Sequence, residues 1–198
     1  MIANWPGVPE DRMAAACAEL RRQGHAVHRV SIRNARSGRR RRGWAVGGTT
    51  YRPALMPAPH EALTCDDAVI VRALAEPGAV PSARAALEAL AAGHGASGVV
   101  RSAVALAVTE ACTNVVVHAY VETEAPGSLE VRACVANTVL FVEVADHGRG
   151  MVPRPDSPGL GMGLSLIAQV SDGFEILTHL ERTGVVVRMH FNLVTPDR

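Results

Sequence analysis

Three polar residues interrupt an otherwise greasy stretch of this chain. Ala103 to Tyr120 reads AVALAVTEACTNVVVHAY, and within it stand Glu110, Asn114 and His118. The stretch has helical length and is apolar nearly all round, as a core helix is. At i, i+4 and i+8 the three polar side chains stack on one helical face, with Thr109 and Thr113 beside them. A carboxylate and an amide are costly in apolar surroundings unless something satisfies them. The simplest satisfier is a bound ligand: a hydrated metal ion and the phosphates it holds.

A second set of residues follows. The strand-like VLFVEVA ends in Asp146-His147-Gly148-Arg149-Gly150. An acid at a strand end, followed by spaced glycines, marks a place where backbone comes close to a ligand. The carboxylate can accept a hydrogen bond from an exocyclic amine such as that of adenine; by itself the pattern is equally a turn capped by its Asp. Next comes Gly159-Leu160-Gly161-Met162-Gly163-Leu164, opening a helix. Backbone N–H groups at a helix start, freed of side chains, bind phosphate. The spacing is not that of a dinucleotide fingerprint, and no strand directly precedes it.

The elements that position these residues can be read in order. Asp67 to Leu74 predicts a strand, and Pro81 to Ala92 a helix opened by its proline. The central helix runs from about Val99 to Tyr120. Ser128 to Val135 and Thr138 to Ala145 alternate as a hairpin turning at Ala136-Asn137. Gly163 to Val170 is a short helix; Phe174 to Thr178 and Gly184 to Phe191 form a second hairpin. Strand and helix do not alternate for long. The expected fold is therefore an α/β (α+β) two-layer sandwich, a mixed, mostly antiparallel sheet with helices on one face.

Residues 1–52 carry a charge of +8 and the remainder −7, which balance to the net +1. Ala26 to Arg33 alternates like a strand, and Arg39 to Arg42 form a run. Without interleaved aromatics or a recognisable DNA-binding motif, the run reads as a solvated, poorly ordered arm, and direct nucleic-acid binding is not expected. Pro53, Pro57 and Pro59 read as a linker, so residues 1–61 form a basic extension and 62–195 the globular domain. All 20 basic residues are Arg. A phosphate-binding loop of the Walker type, which needs its Lys, is excluded, and so is Schiff-base chemistry. Cys17, Cys65, Cys112 and Cys134 make no C-x-x-C pair and fit free thiols in a reducing cytoplasm. The start has no signal-peptide pattern. Arg101 and Glu110 interrupt the longest apolar stretch, so no membrane span is expected.

Taken together and in this order, Glu110-x-x-x-Asn114-x-x-x-His118-Ala-Tyr, Asp146-x-Gly148-x-Gly150 and Gly161-x-Gly163-Leu164 resemble the N box and two glycine boxes of the GHKL ATPases. That superfamily takes in gyrase, the heat-shock chaperone, histidine kinases and mismatch-repair ATPases. The wording EACTN…HAY and the short lid look most like its anti-sigma-factor serine kinase branch. The resemblance covers about Ala62 to Val194 and implies a Bergerat-type ATP-binding fold. It implies ATP and Mg²⁺ as cofactors, with Asn114 on the metal and Glu110 as general base. Asp146 would hold the adenine amine and Gly148 and Gly150 frame the base. Gly159, Gly161, Met162, Gly163 and Leu164 would reach the phosphates. His118 would support the helix end or the phosphate side, with a purely structural role open. Arg149 and Arg154 would neutralise phosphate or stand solvated in the lid.

No histidine stands in the helical context of a phospho-acceptor, and no transducer segment is expected after the domain. The resemblance thus implies a homodimer that binds a sigma factor and phosphorylates a serine of an anti-anti-sigma protein. The alternative is a nucleotide-dependent binding module without turnover.

Overall fold

The computed structural model describes residues 21–22, 26–33, 40–47, 69–121, 123–149, 162–178 and 184–194. Its elements in chain order are β1 (Ala26–Arg33), β2 (Arg40–Gly47), β3 (Val69–Leu74), α1 (Ala79–Gly93) and α2 (Gly98–Asn114). A π-helical turn, Val115–Ala119, continues α2 without a break. Then come β4 (Ser128–Ala136), β5 (Val139–Asp146), α3 (Met162–Val170), β6 (Gly173–Thr178) and β7 (Val185–Asn192). The strands form one seven-stranded sheet in the order β1-β2-β6-β7-β5-β4-β3. Among the described residues every pairing is antiparallel, where a mixed, mostly antiparallel sheet was expected.

The helices cover one face of the sheet. Leu87 of α1, Val104, Ala107, Val108 and Ala111 of α2 and Ile167 of α3 are fully buried in one apolar cluster with Leu129, Val131, Val142 and Met189 of the strands. The period of α2 explains its placement. Small side chains on its inner face let it lie close to the sheet, and Ser97 caps its start by accepting from the Val100 N–H at 3.3 Å. With its π turn it spans 22 residues at a mean hydropathy of 1.4, long and apolar enough to cross a membrane. Its burial against the sheet identifies it instead as the core helix.

The β4–β5 hairpin turns at Asn137 and Thr138, with φ of 49° and 65°, one residue later than the sequence pattern placed it. Both central residues are left-handed, as a tight two-residue hairpin turn requires. Asn tolerates that conformation; Thr is branched at Cβ and is held there with its carbonyl accepting from the Leu193 N–H at 2.8 Å.

The arginine run, expected as a solvated tail, is instead part of a strand. Arg40 to Arg42 open β2, which pairs β1 on one side and β6 on the other. The register sets Trp44 opposite Ile176 and Val46 opposite Phe174. That pairing depends on a strand far away in sequence and is invisible in a count of charges.

The face away from the helices is also closed. Arg188 of β7 lies between Glu143 of β5 and Glu175 of β6, its register partners on the two flanking strands. Its Nε donates to Glu143 Oε1 at 2.8 Å and its guanidinium also reaches Glu175 at 3.4 Å, with all three residues buried. Cys112 is a free, buried thiol that desolvation pushes up to about 12. Cys134, expected as a free thiol, is disulfide-bonded.

Candidate functional site

Glu110 and Asn114 stand one turn apart on α2, both half-buried, and α3 packs against them at its first turn. The contact is made by Gly163. A Cβ there would sit 2.9 Å from Glu110 Oε2 and 3.6 and 3.7 Å from the amide atoms of Asn114. The glycine therefore leaves space where the two polar groups converge. Its neighbours Met162 and Leu164 begin α3, where backbone N–H groups have no partner within the helix. The Leu164 side chain is buried in the apolar cluster, so its backbone alone is left to face a ligand. Gly150, Gly159, Gly161 and Arg154 lie outside the described residues, as does the side chain of Met162.

His118 falls in the π-helical turn, half-buried, one turn beyond Asn114. π turns recur at functional positions because the extra residue frees carbonyls from the regular ladder. Here the Ala119 carbonyl leaves the helix and accepts from the Arg149 N–H at 3.0 Å. That bond joins the end of the helix to the loop after β5.

Asp146 is the last residue of β5 and is 4% exposed. Burial pushes its carboxyl up to about 6, against the opposing pull of backbone N–H groups of Gly148 and Val185 and of nearby His147. The Gly148 N–H donates to Asp146 Oδ1 at 2.9 Å. The acid thus caps its own turn, as the local reading of Asp-x-Gly-x-Gly requires. With the Gly148 and Val185 N–H groups on it, a carboxylate of about four lone-pair sites still has room for another donor. Gly148 is forced: a Cβ there would lie 2.1 Å from the Ala119 carbonyl oxygen.

Two further residues shape this corner without having shown themselves in the sequence. Gly184 has φ +122°, and a Cβ on it would meet the Asp146 carbonyl oxygen at 2.2 Å. Tyr120 crosses from the helix end to the loop through its hydroxyl, which accepts from the His147 N–H at 2.9 Å. The closing letters of HAY carried the second signal; nothing flagged the first.

The structure therefore brings Glu110, Asn114 and Gly163 together at the last turns of α2, and Asp146, Gly148 and Tyr120 together beyond the π-helical turn that follows. That turn separates an acid–amide pair from a buried carboxylate at a loop.

The comparisons with known proteins concern the domain as a whole. The family model for the histidine kinase-like ATPase domain matches residues 73–191. Two curated relatives, both named anti-sigma F factor, come from Clostridium botulinum strains Eklund 17B / Type B and Alaska E43 / Type E3. Each is 28% identical over 106 residues, covering 48% of this chain and 73% of the relative. Among solved structures, that of the RsbU and RsbW domains of Rv1364c from Mycobacterium tuberculosis superposes with a TM-score of 0.53 at 21% identity. The match covers 66% of this chain and 34% of that one, and it is a likeness of fold. The chain belongs to the histidine kinase-like ATPase domain family, a family of ATP-binding domains.

Proposed function

We propose that this protein is an ATP-dependent serine/threonine protein kinase of the anti-sigma type. It transfers the γ-phosphoryl group of ATP to a serine of an anti-anti-sigma partner and, in its other state, holds a sigma factor. The observation that carries the reading is the convergence of Glu110 and Asn114 on Gly163, with Asp146 at the far end of the same helix. The name of the curated relatives, anti-sigma F factor, supports the partner class.

Asp146 accepts the exocyclic amine of adenine with the lone pairs that the Gly148 and Val185 N–H groups leave unused. Gly148 keeps the loop against the helix end so that the base has a floor. Asn114 offers one hard amide oxygen, which suits a Mg²⁺ ion held mainly by phosphates and water. Consistent with that, no group of three or more His, Cys, Asp or Glu that could cage a metal gathers among the described residues. Bound there, magnesium supplies neutralisation of phosphate charge. Glu110 takes the proton from the serine hydroxyl as its oxygen bonds to the γ-phosphorus and the bond to ADP breaks. The N–H groups opening α3 hold the transferred phosphoryl oxygens.

A partner has a surface to meet. Arg84 and Glu88 of α1 with Arg101, Leu106 and Thr109 of α2 line a cavity of about 620 Å³ on the helical layer. It mixes cations with an exposed leucine, as protein-docking surfaces do. The reading also carries a homodimer acting in the cytoplasm, where sigma factors work.

Incubation with γ-labelled ATP and a cognate anti-anti-sigma protein tests the proposal. Label appears on a serine with wild type and is lost with Glu110→Gln. Tight ATP binding without transfer to any partner would select the binding-module reading instead.

A further inference from the structure

The corner between the end of α2 and the Asp146 loop is built more elaborately than a helix end needs. Tyr120 is at its centre. The hydroxyl donates to the Ser128 carbonyl at 2.8 Å and accepts from the His147 N–H at 2.9 Å. A phenol has one proton to give and lone pairs to receive, so both roles are filled by backbone groups, one at the start of β4 and one in the loop after β5. The ring lies flat on Gly127, where a Cβ would come within 1.9 Å of it. The Ser128 hydroxyl in turn meets His147 Nδ1 at 3.2 Å. The Tyr120 carbonyl accepts from the Thr123 N–H at 3.1 Å and from its hydroxyl at 2.8 Å, which fixes the backbone that carries the ring. The loop residue between Asp146 and Gly148 is thus tied to the helix by a side chain, two residues before the Arg149–Ala119 bond ties it by backbone.

We infer that Tyr120 is a positioning residue for adenine recognition: it latches the Asp146 loop to the end of the helix that carries Glu110 and Asn114. The inference rests on the ATP reading above. Asp146 is the group that would touch the base; Tyr120 acts through it. The His147 N–H that follows Asp146 points at the phenol, so the peptide plane carrying the acid is held at one orientation. Without the hydroxyl that N–H loses its partner and the loop is free to tilt. The cost falls on the base and not on the phosphates, because Gly163 and the start of α3 lie at the other end of the site.

Tyr120→Phe keeps the ring over Gly127 and removes only the hydroxyl. Calorimetry compares wild type, Tyr120→Phe and Asp146→Asn with Mg-ATP and with Mg-tripolyphosphate, which has no base. For Tyr120→Phe the expected result is an ATP affinity reduced about tenfold, roughly one hydrogen bond's worth. Tripolyphosphate affinity should not change, and transfer at saturating ATP should proceed at the wild-type rate. Equal losses for both ligands would make the effect general and overturn the assignment. So would wild-type ATP binding by Tyr120→Phe while Asp146→Asn loses affinity. Wild-type ATP binding by both variants would remove the adenine role given to Asp146, and the latch with it; a wild-type protein that binds no Mg-ATP would instead remove the ATP reading itself.

Discussion

Gly163→Ala separates the fold from the chemistry. The added methyl would sit 2.9 Å from Glu110 Oε2, where ordinary contact begins at 3.4 Å. Something must move by about half an ångström, and the cheapest mover is the end of a flexible glutamate. The nearest Asn114 atoms, at 3.6 and 3.7 Å, are already at ordinary distance and stay. Alanine also suits a helix better than glycine, by about 1 kcal/mol. Stability should therefore stay level or rise slightly, within about 1 kcal/mol. Transfer should fall. A general base contributes about 10²- to 10⁴-fold, and misplacing a reacting group by about 1 Å costs about 10²-fold. Half that displacement predicts a loss of about tenfold, read as the rate of serine labelling at saturating ATP. Denaturant unfolding of the same preparation reads stability. A folded Gly163→Ala protein that labels its partner at the wild-type rate would refute the role given to the Gly163–Glu110 contact.

Other perturbations have equally definite outcomes. Gly148→Ala puts a methyl 2.1 Å from the Ala119 carbonyl, with backbone on both sides; unfolding experiments should show a loss of about 2–4 kcal/mol, far more than at Gly163. Asp146→Asn should weaken Mg-ATP binding by about 1–3 kcal/mol in calorimetry. The Asp146 pKa rises on folding from 3.8 to about 6. Its contribution to stability is therefore full below the lower value and lost as pH rises through the upper one. Wild type should accordingly lose stability relative to Asp146→Asn between about pH 4 and about pH 6.5 in denaturant titrations. ATP affinity should move the opposite way, rising as the carboxylate forms. Arg188→Ala strands two buried carboxylates and should cost about 3–5 kcal/mol in the same unfolding assay.

Much of the fold was legible because its elements repeat a simple period. α2 showed itself by length and greasiness, and its polar stripe pointed to Glu110 and Asn114. β4 and β5 showed themselves by alternation. What stayed hidden depends on partners far away in sequence. Alternation in GVVVRMHF puts Arg188 on the solvent side. It is buried because Glu143 and Glu175 flank it, a fact of strand order and not of its own neighbours. β2 was hidden by its arginines, since the pairing that fixes it is set by β6. Gly184 read as the first residue of a strand, and only the fold places it under the Asp146 carbonyl. Tyr120 closed a motif, but the strand-end groups it bonds become neighbours only after the sheet has formed.

The Arg188 triplet has a bearing on nucleotide recognition although it lies on the opposite side of the sheet. A slip of β7 by one position would turn the guanidinium toward the helices and replace it with an aliphatic residue between two carboxylates. Both halves of that error are expensive, so the three strands admit one alignment. β5 is the first of these three strands along the chain, and the place where it stops is Asp146. Under the role proposed for Asp146, the depth at which the acid would meet a purine is thus calibrated from behind, by charges on the other face of the sheet.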